Sequence, residues 1–404
     1  MAMHNTNNIN NSNININQKP KIKFLVLGIT GNLAQLKILP AVGQFTAFCK
    51  DNYEIELIGY SRSKADIDQI REYTNQDECN LPKIILEQGQ YDNFEVYHNL
   101  VSELRPQDRL IVYLAVPPSV YKDFIESSCQ FGSQKIDVLI EKPFGENKQE
   151  ALRIINIIKK CKIQNRVRFI DHYLFKNSTR INFGEALEKF NNNEFCDIQN
   201  LKKIKIRILE TLGVEGRGGY YDTIGARRDM LVHLYSLLKL TLKNLCGTVR
   251  IGNVELINQK TSQYEGYDVD IGISGSKTET YFEVVIKIEL IGQDRSKIII
   301  VELESGKKQI QKITDIEIDF ETNSSNIQNI NWQIQPESLI ICDNKNFFDN
   351  INIQNFTKKI NFTKKNNLDH TNVFEDLINN QYAYFVDYDE VIEGWNIINK
   401  IILN

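Results

Sequence analysis

The chain has 404 residues, 42% of them apolar, and a formal net charge of −4. That length argues for two domains over one core, and the charge excludes a basic field of the kind that binds nucleic acid. No apolar run reaches the length of a membrane span. The cysteines (Cys49, Cys79, Cys129, Cys161, Cys196, Cys246 and Cys342) are odd in number and form no C-x-x-C pair. They read as free thiols of a reducing compartment, not as a disulfide framework or a zinc site. A cytoplasmic protein without metal or membrane partner is the expectation.

Residues 1–19 are Asn-rich and nearly uncharged. They lack the n-region and apolar core of a signal peptide and the arginines of a presequence, and read as a disordered tail. "KIKFLVLG" (21–28) then runs as a strand into a glycine turn, and "ITGNLAQLKILPAVGQFTAF" follows with helical spacing of Leu33, Leu36, Leu39 and Val42. The turn, G-x-x-G-x-L, contains Gly28, Gly31 and Leu33. It suits a backbone approaching a pyrophosphate at a helix N-terminus, and alone it is equally a plain βα turn. "EIELIGYSRS" (54–63) adds Arg62 between Ser61 and Ser63, where a carboxylate usually holds the ribose 2′-OH of NAD. An arginine there argues for a 2′-phosphate, hence NADP, with an ordinary surface arginine as the alternative. "RLIVYLAVPPSVY" (109–121) and "IDVLIEKPFG" (136–145) supply further strands, with helices between them. Lys142 closes the second and points into the crevice, and Pro143 is a candidate for a cis bond that aims it.

The apolar run "VRFI" ends in "DHYLFK" (171–176), and from about 172 the rhythm changes. Segments 201–213, 281–291, 297–305 and 314–320 alternate apolar and polar residues, as half-buried strands of an antiparallel sheet do. Residues 225–242 have helical period and place Asp229 and His233 four apart on one face. A histidine among helix leucines is usually a core residue. His4 lies in the tail. His98 and His370 have no acidic partner at a strand end, and His370 reads as part of a charged loop. His172 and His233 are left as site candidates. The expected architecture is an α/β Rossmann-like coenzyme domain (20–171) followed by an α+β domain (172–404) with a large, mostly antiparallel sheet.

These motifs together resemble the glucose-6-phosphate dehydrogenase family. "GITGNLAQLKILP" is similar to its G-A-S-G-D-L-A-x-x-K-I-x-P signature, and "YLAVPPSVY", "IEKPFG", "DHYLFK" and "ETLGVEGRGGYYDTIGARRDM" resemble later segments in the same order. Weaker echoes run through "SGKKQ", "IQPES" and "DYDEVIEGWNII", so the likeness spans about 21–398. The resemblance implies oxidation of glucose 6-phosphate at C1 to a lactone, with hydride passed to NADP or NAD, at the entry to the pentose phosphate pathway. It implies His233 as general base, assisted by Asp171. His172, Tyr173 and Lys176 would take the phosphate, and Lys142 would lie between sugar and nicotinamide. Lys37, Lys307, Glu210, Asp229 and Gln335 would line the sugar site. Gly28, Thr30, Gly31, Leu33 and Arg62, with Lys142, would hold NADP. A homodimer or dimer of dimers is implied.

The sequence departs from the family pattern at four places. "DMLVH" separates aspartate and base by three residues where the family has four, and one residue is about 100° of helix. Glu304 precedes Gly306-Lys307 where arginine is common, placing a negative charge near the expected site. Asn32 replaces the aspartate of G-D-L-A. The chain is also shorter between about 340 and 370, so the extra structural NADP site of some members is not implied. Two alternatives follow: a member acting on another sugar phosphate, and a catalytically silent dinucleotide-binding subunit.

Overall fold

A computed structural model describes residues 19–74, 81–129, 136–180, 198–214, 218–321, 327–335, 338–343, 357–360 and 367–403. The disordered tail expected over 1–19 therefore lies outside the described residues, apart from Lys19. Strands β1 (Lys21–Leu27), β2 (Glu54–Ser61), β3 (Lys83–Gln88), β4 (Arg109–Leu114), β5 (Ile136–Glu141) and β6 (Val167–Ile170) form one parallel sheet in the order β3-β2-β1-β4-β5-β6. The central strands are near-continuous apolar runs because both faces are covered. Their helices are α1 (Leu39–Cys49), α2 (Ile67–Thr74), α3 (Phe94–Ser102), α4 (Pro118–Ser128) and α5 (Lys148–Lys160). The strand order reverses between β1 and β4. That is the switch point where such sheets open a ligand crevice at their carboxyl ends.

Two helix starts differ from the sequence expectation. Residues Ala34–Ile38 form a π-helical turn leading into α1, which turns Leu36 out to solvent. The strand expected within 109–121, broken at Pro117-Pro118, ends at Leu114, and α4 opens at Pro118, one residue ahead of the helix expected from Ser119, where a missing N–H costs nothing.

The second sheet contains β7 (Leu201–Leu209), β8 (Arg250–Ser262), β9 (Tyr281–Ile291), β10 (Ser296–Gly306), β11 (Ile313–Phe320), β12 (Ile327–Gln335), β13 (Ser338–Asp343) and β14 (Thr357–Ile360). The order is β14-β13-β12-β11-β7-β10-β9-β8, and every pairing is antiparallel except β7 with β10. The mostly antiparallel sheet is thus the expected one, and larger than the four strands read from the sequence. One face carries Ile204, Ile206, Ile208, Val284, Ile286, Val301 and Leu303, all buried. Helix α6 (Gly218–Cys246) packs on β7, β9 and β10. Leu231, Leu234, Leu237, Leu238 and Leu242 of α6 are each at most 1% exposed. A helix apolar on so much of its circumference sits between layers, here the sheet and the coenzyme half. A short helix, α7 (Tyr267–Ile271), and two C-terminal helices, α8 (Asp369–Ile378) and α9 (Tyr388–Ile402), complete the fold. Helix α8 packs on α1, and α9 on α5 and α6, so the end of the described chain ties the two sheets together.

The thiol reading needs correction. Cys129 and Cys161 form a disulfide, with Cα atoms 5.0 Å apart. They cap the C-termini of α4 and α5, neighbouring helices on one side of the parallel sheet. A separation of 32 residues gave no local signal of that approach. Cys49 and Cys246 are not in a disulfide. No helix among the described residues is long and apolar enough to cross a membrane.

Candidate active site

At the switch point a cleft of about 760 Å³ is bordered by Leu33, Ala115, Lys142, Pro143, Asp229 and Trp395, among others. Leu33, which follows the turn after β1, forms part of its wall. Gly28 has φ +84°, and its N–H donates to the Tyr60 carbonyl at 2.8 Å. A side chain at Gly28 would collide with the carbonyl of Ala115, so the turn requires glycine. Gly31 N–H donates back to Gly28 O at 2.9 Å, which closes the turn below the exposed Thr30. Arg62 is exposed beyond β2, its guanidinium 5.5 Å from the centre of the Tyr91 ring, and no carboxylate pairs with it among the described residues. Ser61 Oγ donates to the Ser63 carbonyl at 2.6 Å, fixing the loop that presents Arg62. A tight glycine turn, an unpaired cation beyond β2 and an open crevice fit a dinucleotide. The peptide bond between Lys142 and Pro143 is cis. Lys142 donates to the Asp229 carbonyl at 3.2 Å. Burial lowers its pKa, opposed by the charges of Asp229, Asp171 and Glu141.

Next to Val232 of the cleft wall stands the buried pair of His233 and Asp171, Nδ1 to Oδ1 2.6 Å, 2% and 0% exposed. Asp171 follows β6 and caps a short 3₁₀ turn, His172–Phe175, accepting the Tyr173 N–H at 3.0 Å. Burial raises its carboxyl to about 6, against the opposing pull of Lys142 and of the Tyr173 N–H. The other oxygen, Oδ2, is buried with no partner among the described residues. Helix α6 is not continuous. Gly225 has φ +70° and ψ 171°, and the helix restarts at Ala226, whose N–H donates to the Glu279 carbonyl at 3.0 Å. The break lies upstream of Asp229, so Asp229 and His233 keep the regular i, i+4 relation expected of them. Asp229 still belongs to the site, because its charge bears on Lys142, Tyr173 and Tyr221.

"DHYLFK" brings its side chains together as the sequence suggested. The ring of Tyr173 lies 4.6 Å from those of His172 and His233. Burial, then the charges of Lys176 and Lys142, push His172 well below the usual histidine range, so it is neutral. Lys37 is exposed, yet close enough to add to that depression. Lys176 Nζ is paired with Asp369 at 3.0 Å, an acid no motif pointed to. Asp171, His172 and His233 hold their potential ligand atoms within 4.8 Å of one another; the Asp171–His233 contact already engages one from each as a hydrogen bond. At the adjoining end of the second sheet, Lys307 is ion-paired with Glu210. The parallel register of Gly306 with Leu209 makes that meeting. Gln335 reaches the same end of the sheet by register, opposite Thr314, itself opposite Ile208.

Two expectations are overturned here. Glu304 does not face the site. It alternates with Leu303 and Ser305, points to the other face of the sheet, and pairs with Lys205 at 3.5 Å and the Tyr281 hydroxyl at 3.0 Å. His370 is no loop residue without an acid. It is buried in the first turn of α8 with Nε2 3.0 Å from Glu141 Oε1, which also accepts from the Tyr113 hydroxyl at 2.5 Å. Its partner stands 229 positions away, and nothing in either segment announces it.

A glucose-6-phosphate dehydrogenase NAD-binding-domain model matches residues 25–180, and the family's C-terminal-domain model matches 187–250, together more than half of the chain. The chain belongs to the glucose-6-phosphate dehydrogenase family. A cytoplasmic glucose-6-phosphate 1-dehydrogenase of Arabidopsis thaliana is 27% identical over 76% of this chain and 68% of the relative. A crystal structure of the Mycobacterium avium glucose-6-phosphate 1-dehydrogenase superposes with a TM-score of 0.73 at 19% identity, covering 96% of this chain and 92% of that one. A glucose-6-phosphate dehydrogenase solved with its substrate glucose 6-phosphate gives 0.72 at 22% identity, with the same coverage. These likenesses show the shared fold. Family membership makes this an oxidoreductase of carbohydrate metabolism with a nicotinamide-dinucleotide-binding domain.

Proposed function

We propose that the chain oxidises glucose 6-phosphate at C1 with NADP as hydride acceptor, with the domain boundary at 171–172. The observation that carries this is the buried His233–Asp171 hydrogen bond, with Lys142 of the cleft wall close enough for its charge to bear on Asp171. With Asp171 ionised, Nδ1 of His233 carries the proton and donates to the carboxylate. Nε2 is then the free acceptor, able to take the C1 hydroxyl proton, and Asp171 stabilises the imidazolium that forms. Bound NADP would supply the hydride-accepting ring. Gly28, Thr30, Gly31 and Leu33 would hold it from the turn, Arg62 would take the 2′-phosphate, and Lys142 would separate ring from sugar. The phosphate of the sugar falls to Lys176, with neutral His172 and Tyr173 as hydrogen-bonding neighbours. The relative solved with glucose 6-phosphate supports this substrate class.

The test is an assay of purified protein with glucose 6-phosphate and NADP, read as reduced-nicotinamide absorbance. His233→Asn should cut kcat by ~10²–10⁴-fold, the contribution of a positioned base. Turnover of a different sugar phosphate alone would change the substrate. NADP binding with no turnover of any sugar would make the chain a silent subunit. With Glu304 facing away, its charge no longer favours another substrate.

A further inference from the structure

Tyr221 lies before the break in α6, 3% exposed, and its buried hydroxyl has no hydrogen-bond partner among the described residues. Buried phenols normally find one. The neighbouring ring of Tyr267, 6.4 Å away, has its hydroxyl on Asp222 at 3.1 Å. Tyr221 is surrounded by groups of the sugar site. The Lys307 ammonium lies 5.9 Å from its ring centre, and Asp229 and Glu210 are the charges that weigh most on it. The same two carboxylates weigh on Tyr173, so both phenols lie within reach of the same charges. Burial and these charges raise the Tyr221 phenol, which therefore stays a donor across the neutral and alkaline range.

Two carboxylates close by repel a phosphate. They favour a neutral hydroxyl that accepts from the phenol and donates onward to an acid. We propose that Tyr221 is a specificity-determining residue whose hydroxyl donates to one ring hydroxyl of the sugar. This rests on the sugar-phosphate reading above.

The test compares wild type and Tyr221→Phe by calorimetric binding of glucose 6-phosphate and of analogues each lacking one ring hydroxyl, with matched melting temperatures as a control on folding. The expected result is a Kd for glucose 6-phosphate raised by about 2–10-fold, the effect of one neutral hydrogen bond. One deoxy analogue should bind both proteins equally, and NADP affinity should not move. An equal loss for every analogue, or no loss for the parent sugar, overturns the proposal while the substrate reading stands. If the wild type binds no sugar phosphate at all, the substrate reading fails first and this assignment falls with it.

Discussion

At the scale of single residues, the site is a set of charges held at unusual strength by burial. Asp171 is the clearest case. Its carboxyl is raised to about 6 chiefly because it lies in the interior, so it takes up a proton well above the ordinary carboxylate range. The sign for catalysis follows. Above that value the carboxylate holds His233 in the accepting tautomer; below it the pair carries one more proton and the base is lost. We expect kcat/KM to fall about tenfold per pH unit below an apparent pKa near 6, a value that belongs to the pair. A flat profile down to pH 5 would remove the dyad from the mechanism. Lys176→Ala should raise the KM for the sugar phosphate by about 10–100-fold, the range of a charge-assisted bond, with kcat far less affected. An unchanged KM would remove Lys176 from the phosphate site.

At the scale of elements, the break in α6 sets where the half of the helix carrying Asp229 and His233 begins. Gly225 holds φ +70°, and a side chain there would press on the Glu279 carboxylate, which also takes the Arg227 guanidinium at 3.0 Å. Gly225→Ala should cost about 1–3 kcal/mol from the strained conformation and should lower kcat/KM by displacing Asp229. Unfolding in urea beside steady-state kinetics checks both, and a variant of wild-type stability would show that the break tolerates a side chain. How much of this was legible depends on the element. The parallel strands and the glycine turn read directly, because burial on both faces leaves an apolar run. Strand β8 did not read, because it is the sheet's edge strand and polar through most of its length. Strands β12–β14 sit in Asn-rich sequence that blurs alternation. The direction of Glu304 was available from the period of two, counted from Leu303 and Ser305, whereas His370 on Glu141 and Lys176 on Asp369 depend on helix α8 arriving from a remote part of the chain.

At the scale of the whole molecule, α8 is the clasp. Asp369 meets Lys176, His370 meets Glu141, the Asn372 side chain donates to the Phe175 carbonyl at 2.8 Å, and Asp376 meets Arg180 at 2.6 Å. Asp376 is 1% exposed. Removing the cation would leave a buried carboxylate without its ion pair. Arg180→Leu should therefore destabilise by about 3–5 kcal/mol, seen as a large drop in the urea midpoint. A loss below about 1 kcal/mol would mean that water reaches the acid. The pairing of β7 with β10 adds a matter of timing. During synthesis β7 leaves the ribosome about ninety residues before β10 and still earlier than β11, a delay on the order of ten seconds. For that interval α6, made in between, is there to cover Ile204, Ile206 and Ile208. The helix that carries the proposed base thus also shelters the nascent sheet, and substitutions on its leucines should reduce the yield of folded chain before they reach the chemistry.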